Sequence, residues 1–342
     1  MNLDGYALPI KKLKGTEPVE SLDLSGKKLG GASAIVIASL ISVNGGLTVA
    51  NLLRNKLDAE SAKMVAKQKG ISLCGIRRDQ TTADFRYMDL QPPDAILLAS
   101  DLSQAGVTGS LTSINLSENN LTNYSLLYGR DMAGITELAA ALGVNGVLTA
   151  LDLSSNYLKD EGVSAVCEAI QSNKETKLAS LNFRQNNIGP VGANALAAMV
   201  AVTGSLTSLD LSNNALCGRT YTAEGITAIA NALRVNGSLT SVELRGNQLG
   251  DEGWGAIFAA ICSNKDSKIM SMDASHHNIG PAGGKLIAKA LRTSVTGTLT
   301  SLDLSSNQLC GVNSWGSGTY TADGITAIAD ALRVNGSLTK ME

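Results

Sequence analysis

The chain repeats one short pattern of apolar and polar positions along most of its length. The template is LxxLxLxxNxL, and clear copies begin at Leu111, Leu148, Leu206, Leu239 and Leu299. The alternation within LxL has a period of two and predicts a short β-strand, because successive side chains of a strand point to opposite faces. The segments that follow, such as EGITAIANAL, carry apolar residues at helical spacing. Each copy therefore predicts one strand and one helix.

Other copies of the template begin at Val19, Leu47, Leu178 and Ile269. A single strand-helix unit cannot bury its apolar face alone, so neighbouring units are expected to stack with their strands in parallel. The Asn of each turn is expected to satisfy buried backbone groups along a ladder. The predicted ladder residues are Asn119, Asn156, Asn186, Asn214, Asn247 and Asn307.

The repeated phrase resembles the leucine-rich-repeat family. Several copies start 30 residues apart and carry full helices, which resembles the ribonuclease-inhibitor-like, intracellular subclass. The resemblance implies an α/β fold, a solenoid shaped as a horseshoe with parallel strands on the concave face and helices on the convex face. It also implies a protein-binding scaffold, although repeats of this kind specify the fold far better than the function.

The predicted domain organisation is an N-terminal extension over residues 1–18 and a single solenoid over residues 19–342. Between Ile71 and Leu90 two partial matches lie too close together to hold a helix, and a tight irregular hairpin is expected there. The array is expected to end at Glu342 without a C-terminal cap. Similar blocks that start at Gly204 and Gly297 indicate growth by duplication of three repeats.

Composition narrows the classes of partner. Aromatic residues make up 4% of the chain and hydrophobic residues 44%, so a closely packed core of small aliphatic side chains is expected. The net charge of -2 supplies no broad basic field for nucleic acid or for a membrane surface. The longest apolar run, Ala34–Ile41, is too short to span a bilayer. Without a secretory signal, we expect an intracellular and cytoplasmic protein, with an organelle left open.

The strand positions between the core leucines are expected to face the concave side and to offer charged groups to a partner. Arg184 and Arg245 stand two positions after Asn182 and Glu243, at a strand position where Ser is usual. The last four acids, from Asp210 to Asp303, would form a ridge of like charges, and a basic patch or a cation could relieve their repulsion. Alternatively, they are solvated residues of the favoured phrase LDLS. The acids singled out are Asp152, Asp210, Glu243, Asp273 and Asp303.

The first repeat of each block has an enlarged loop with aromatic residues, which are enriched at binding hot spots. Either these rings contact a partner or they fold back onto the repeat as local packing. Trp254 lies within a helical segment and is expected to be a packing residue. The loop residues singled out are Tyr124, Tyr128, Tyr221, Trp315 and Tyr320.

No residue pattern predicts catalysis, a metal or a cofactor. The only histidines, His276 and His277, are adjacent, and His277 stands at a ladder position, so a metal site or a Ser-His-Asp assembly is not expected. Five cysteines lack the spacing of a zinc site or of a disulfide framework. The sequence favours a non-enzymatic scaffold with a protein partner. The alternatives are a GTPase-activating regulator of a small GTPase and the ligand-sensing repeat region of a larger receptor.

Overall fold

The computed structural model describes residues 2–124, 129–218, 222–295, 297–313 and 315–342. The chain forms two compact units. Unit 1 comprises Met1–Leu158 and Glu168–Leu178, and unit 2 comprises Lys159–Cys167 and Ala179–Glu342. Strands and helices alternate in both units, and this confirms the predicted α/β repeat fold. The prediction that residues 19–342 form one uninterrupted array stays a prediction.

Unit 1 begins with a short antiparallel hairpin and continues with strand-helix repeats. Its strands are β1 (Asn2–Leu3), β2 (Tyr6–Ala7), β3 (Ser21–Asp23), β4 (Val49–Asn51), β5 (Thr82–Asp84), β6 (Ser113–Asn115) and β7 (Ala150–Asp152). Its helices are α1 (Ile10–Lys14), α2 (Gly31–Ile41), α3 (Ala59–Ala66), α4 (Pro92–Leu102), α5 (Ala105–Thr108) and α6 (Ala133–Leu142). Helix α7 (Lys159–Ser172) contributes its first residues to unit 2 and its last residues to unit 1.

Unit 2 continues the same alternation. Its strands are β8 (Ser180–Asn182), β9 (Ser208–Asp210), β10 (Ser241–Glu243), β11 (Ser271–Asp273), β12 (Ser301–Asp303) and β13 (Lys340–Met341). Its further helices are α8 (Pro190–Val202), α9 (Glu224–Leu233), α10 (Gly250–Ser263), α11 (Pro281–Arg292) and α12 (Asp323–Leu332). None of the helices in the described part of the chain is long and apolar enough to cross a membrane.

Apart from the antiparallel β1 and β2, the paired strands of each unit are parallel, and the middle residue of each strand from β4 to β12 is buried. In unit 1, β3 pairs with β4, and β6 pairs with both β5 and β7. In unit 2, β9 pairs with β8 and β10, while β12 pairs with β11 and β13. Leu209 is buried and lies opposite Leu181 and Val242 in register. The period-two alternation of the sequence therefore sets which side chains enter the core.

The predicted asparagine ladder is confirmed in its hydrogen bonds. The Asn214 Oδ1 accepts the N–H groups of Asn186 and Ile188 at 2.9 and 3.1 Å, and its Nδ2 donates to the carbonyls of Phe183 and Leu211 at 3.0 and 2.9 Å. These backbone groups are buried in the turn, and the amide replaces the water they would otherwise bind. The same donation to a carbonyl of the preceding repeat comes from Asn119, Asn156, Asn247 and Asn307.

The hairpin predicted between Ile71 and Leu90 is wrong. Ser72 forms a parallel bridge with Val49, and β5 pairs in parallel with β6. The segment around Ser72 and strand β5 therefore both pair in parallel with other strands, and no helix lies between them. The segment around Ser72 is held by hydrogen bonds to the buried carboxylate of Asp101. This carboxylate accepts the N–H of Leu73 at 2.8 Å and the hydroxyl of Ser72 at 2.8 Å. Burial raises the pKa of Asp101 to about 6 although these bonds oppose the shift.

Candidate partner-binding surface

The acids predicted on the strand face lie at the last residue of each strand, and the carboxylates of the aspartates among them bond to the backbone. Asp210 Oδ1 accepts the backbone N–H of Ser212, two residues later, at 2.8 Å. The side chain thereby forms a turn that ends the strand, which short Asp and Asn side chains favour. The same bond to the residue two positions on is made by Asp23, Asn115, Asp152, Asn182, Asp273 and Asp303.

The four acids of unit 2 form two pairs. Glu243 lies opposite Asp210 in the register of β10 and β9, and Asp273 lies opposite Asp303 in the register of β11 and β12. Strands β10 and β11 belong to different sheets, so the hydrogen-bonded register is interrupted between Glu243 and Asp273. The predicted ridge of four carboxylates therefore stays a prediction.

The surroundings of Glu243 disfavour the ionised form of its carboxylate. Burial raises its pKa, and the charges of Asp210 and Asp273 raise it further. For Asp273, burial acts against ionisation, but hydrogen bonds from Ser275 and the charge of Arg245 outweigh it and lower the pKa. The strand face thus holds a glutamate with a raised pKa and an aspartate whose pKa is lowered in part by the charge of an arginine.

Both arginines predicted as anchors are exposed in unit 2. With the Asn213 amide oxygen turned towards Arg184, the guanidinium donates two hydrogen bonds of 3.2 and 3.3 Å to it. Arg245 lines a small cleft together with Asn213, His276 and His277. Arg184 is held by this contact, so Arg245 is the better placed of the two to meet a carboxylate.

The aromatic loop residues divide into two groups. Tyr124, in unit 1, stacks on Tyr157 with ring centroids 5.4 Å apart, so its ring packs on a neighbouring repeat. Trp315 and Tyr320, in unit 2, are 89% and 69% exposed. Tyr128 and Tyr221 lie outside the described residues. Local packing therefore accounts for Tyr124, and Trp315 and Tyr320 stay candidates for contact with a partner.

The loop that carries Trp315 is tied by hydrogen bonds. Asn313 Oδ1 accepts the N–H groups of Trp315 and Ser317 at 3.0 and 2.9 Å, and Val312 forms an antiparallel bridge with Gly318. A Cβ at Gly318 would collide with the carbonyl oxygen of Gly311, and its positive φ also favours glycine. Among the described residues of the loop, these contacts join Asn313 to Trp315 and Ser317, and the indole is exposed to solvent.

Beside the indole lies a polar cleft of about 600 Å³, named here the turn-side cleft. Its lining includes His276, Asn278, Gln308, Asn313 and Trp315. The amides and the imidazole offer both donors and acceptors, and the indole offers a flat apolar surface. In the described part of the chain, no group of three or more His, Cys, Asp or Glu side chains is arranged to hold a metal ion.

The sequence missed this cleft because His276, Asn278 and Asn313 come from turns that look alike in every repeat. The usable signal was the glycine-rich run of VNSWGSG, which surrounds a single large aromatic residue. His277 stands at the sequence position of a ladder Asn, and its backbone N–H donates to Asn307 Oδ1 at 3.0 Å. Its imidazole does not replace the ladder amide, because the buried Nε2 has no hydrogen-bond partner among the residues that the structure describes. Its ring packs edge-on to buried Trp254, with centroids 4.7 Å apart, and burial lowers its pKa.

Comparison with known proteins gives a matching family model, "Leucine Rich repeat", over residues 144–167, 174–197, 235–258 and 298–309. Mouse ribonuclease inhibitor is 29% identical over 204 residues, which are 58% of this chain and 40% of the inhibitor. The bovine protein "NACHT, LRR and PYD domains-containing protein 5" is 26% identical over 211 residues, 58% of this chain and 19% of that protein. The chain thus matches less than half the length of either relative.

Two solved structures resemble the chain in part. The leiomodin-1 actin-binding site 2 structure has a TM-score of 0.34 at 21% identity and covers 44% of this chain and 77% of its own. The yeast Rad7 and Elc1 complex has a TM-score of 0.38 at 14% identity and covers 94% of this chain and 75% of its own. Scores this low support no inference about the site.

Proposed function

We propose that this chain, which matches the leucine-rich-repeat model in four segments and is similar to ribonuclease inhibitor, is a non-enzymatic scaffold for a protein partner. Leucine-rich-repeat proteins generally mediate protein–protein interactions. The contact surface is assigned to unit 2, where the strand face, the turn-side cleft and the Trp315 loop carry exposed groups of different chemistry. Asp152 and Tyr124 belong to unit 1 and have structural roles that make them weaker candidates.

The single observation that carries the proposal is the exposed indole of Trp315. Large aromatic side chains contribute strongly to binding when a partner removes them from water, and an ordered loop lowers the entropic cost of that step. Trp315 is 89% exposed, yet its loop is fixed by the Asn313 hydrogen bonds. A ring held in water on an ordered loop fits a binding role better than a packing role.

The strand face supports the same proposal with charge. Arg245 is exposed and lines the small cleft that also contains His276, a residue shared with the turn-side cleft. A partner with a carboxylate near an aromatic or aliphatic side chain would match Arg245 and Trp315. The Asp residues at the strand ends keep one carboxylate oxygen occupied by the backbone, so they contribute mainly to the shape and charge of the surface.

The test is size fractionation of a native extract with cross-linking mass spectrometry, for the wild type and the variant Trp315→Ala. The wild type is expected to migrate in a complex with cross-links to one protein, and Trp315→Ala is expected to migrate mostly as the free chain. Tyr157→Ala is the matched control, because it removes a ring that packs on Tyr124. Migration of the wild type as a free monomer would overturn the proposal.

A second candidate is that the chain serves as the ligand-sensing repeat region of a larger receptor. The NACHT-containing relatives favour it, because the chain matches only 19% of the bovine protein. A transcript that encodes ATPase motifs ahead of this sequence would support the second candidate. If this chain is isolated without an ATPase module and in a stable complex with another protein, the first candidate is supported.

A further inference from the structure

A groove on the helix layer of unit 1 has no role in the proposed function. Helix α4 packs between α3 and α6, and Pro92 and the residues from Asp94 to Leu102 are all buried. Lys63 of α3 and Glu137 of α6 form an ion pair of 3.4 Å, so these two helices flank α4. No helix lies between Ile71 and Thr82, and α4 therefore packs directly on α3. The groove is lined by residues of α3, α4 and α6.

The groove has an apolar floor and small side chains on its walls. Its volume is about 440 Å³. Ile96, Ala99 and Ala141 form the floor, while Ala66 and Ala140 stand on the two flanking helices. The methyl groups leave room for an aliphatic side chain from another molecule, and its burial there would remove apolar surface from water.

The rim of the groove is basic. Lys63, Lys67 and Lys69 line it, and Glu137 is the acidic residue of the lining. Glu137 pairs with Lys63, whereas Lys67 and Lys69 are exposed and form no ion pair among the residues that the structure describes. A carboxylate near these two lysines would gain favourable electrostatic energy. The groove therefore combines an apolar floor with local positive charge on a chain of net charge -2.

We propose that this groove binds an acidic peptide segment of a protein partner. Carboxylates of the segment pair with Lys67 and Lys69, and an aliphatic side chain between them rests on Ala66, Ala99 and Ala140. A small inorganic anion would leave the apolar floor uncovered, and a purely apolar segment would leave both lysines without a partner. The site lies in unit 1, so its test is independent of the proposed contact through Trp315.

The test measures fluorescence anisotropy of a fluorescein-labelled peptide of Glu, Leu and Ala with the full chain. The control probes are the same peptide with Lys in place of Glu and one with Glu and Ala only. The acidic peptide with Leu is expected to bind, and its affinity is expected to fall as sodium chloride screens the charges. No binding above that of the Lys-containing peptide would overturn the proposal, and equal binding without Leu would exclude a role for the apolar floor.

Two variants and one matched control locate the binding. Lys67→Glu with Lys69→Glu is expected to lower the affinity about tenfold, since two exposed ion pairs are replaced by repulsion. Lys174→Glu with Lys177→Glu makes the same change in net charge at an exposed turn outside the groove and is expected to leave the affinity unchanged. Ala140→Trp fills the groove from an exposed position and is expected to lower the affinity without a change in charge. Equal losses in both lysine pairs would show nonspecific attraction and overturn the site.

Discussion

Residues 159–192 and 250–283 are two copies of one segment at an offset of 91 residues, and they fill their cores from opposite layers. In the first copy the strand layer supplies Phe183, and the helix carries the smaller Val163 and Cys167. In the second copy the helix carries Trp254 and Phe258, and the strand layer supplies Ala274 at the position of Phe183. All six of these side chains are buried.

The difference shows that the repeat motif specifies which positions are in the core. The size of the side chain at each position is not specified by the motif and varies with the residues of the other layer. Close packing limits the total side-chain volume of a core, so a larger residue on the helix can be offset by a smaller residue on the strand. The change extends to the ladder, where Asn186 of the first copy corresponds to His277 of the second. His277 lies against Trp254, so the ladder position changed together with the core.

The largest effect is expected from replacing the large aromatic residue on the helix of the second copy. Trp254→Val gives the helix of the second copy the residue of the first, and the cavity should cost about 3 kcal/mol of unfolding free energy. Adding Ala274→Phe should restore part of that loss, although Ala274→Phe alone should destabilise by overpacking. Urea denaturation of the wild type, both single variants and the double variant measures the coupling. Additive losses would show that the two positions do not compensate.

A smaller effect is expected from the aspartates that hold the next helix of each copy. Asp160 Oδ1 accepts the N–H groups of Gly189 and Gly192 at 2.6 and 3.0 Å, and Asp251 Oδ1 accepts that of Gly280 at 2.7 Å. Asp160→Ala should therefore cost more than Asp251→Ala, with both losses near ~1 to 2 kcal/mol as for other helix caps. The same denaturation assay compares them, and a larger loss from Asp251→Ala would contradict this account.

The smallest effect concerns pH and His277. Burial lowers the pKa of His277 in the folded state. The unfolded chain therefore takes up a proton first, and the stability from neutral His277 is present above about pH 6.5 and falls as the pH drops below it. His277→Asn should remove this fall and change the stability at neutral pH by less than about 1 kcal/mol.

The pH effect is measured by urea denaturation of both proteins at about pH 7.5 and about pH 5.5. Asp273, Arg245 and His276 interact electrostatically with His277, so the wild-type difference between the two pH values must be compared with that of the variant. An equal loss of stability in both proteins would assign the pH dependence to other groups and contradict the account.

Much of the repeat fold follows from the sequence because its periodicity is local. The spacing around Asn214 predicts both the strand and the ladder bond, and the helical spacing of residues 224–233 predicts α9. The strand acids were predicted only as surface charges. Their bonds to the backbone two residues later need the turn conformation, which the phrase LDLS does not reveal without the structure.

The candidate sites were less predictable because they depend on neighbours that are distant in sequence. Tyr124 and Trp315 occupy similar enlarged loops, yet within the described parts of the chain only Tyr124 of these two stacks on another ring, that of Tyr157. The groove of unit 1 is formed by three helices that are separate in sequence. Lys67 and Lys69 line the same groove as Ala140, and the sequence does not show that these residues are neighbours. A sequence pattern shows each residue type but not these pairs.

The most direct test of the central claim is photo-cross-linking from position 315. A photoreactive phenylalanine analogue replaces Trp315 in one version of the chain and Val191, 66% exposed on helix α8, in another. The account predicts one dominant protein adduct from position 315 and no matching adduct from position 191. No adduct at position 315, or the same adducts from both positions, would contradict the claim that the Trp315 loop contacts a protein partner.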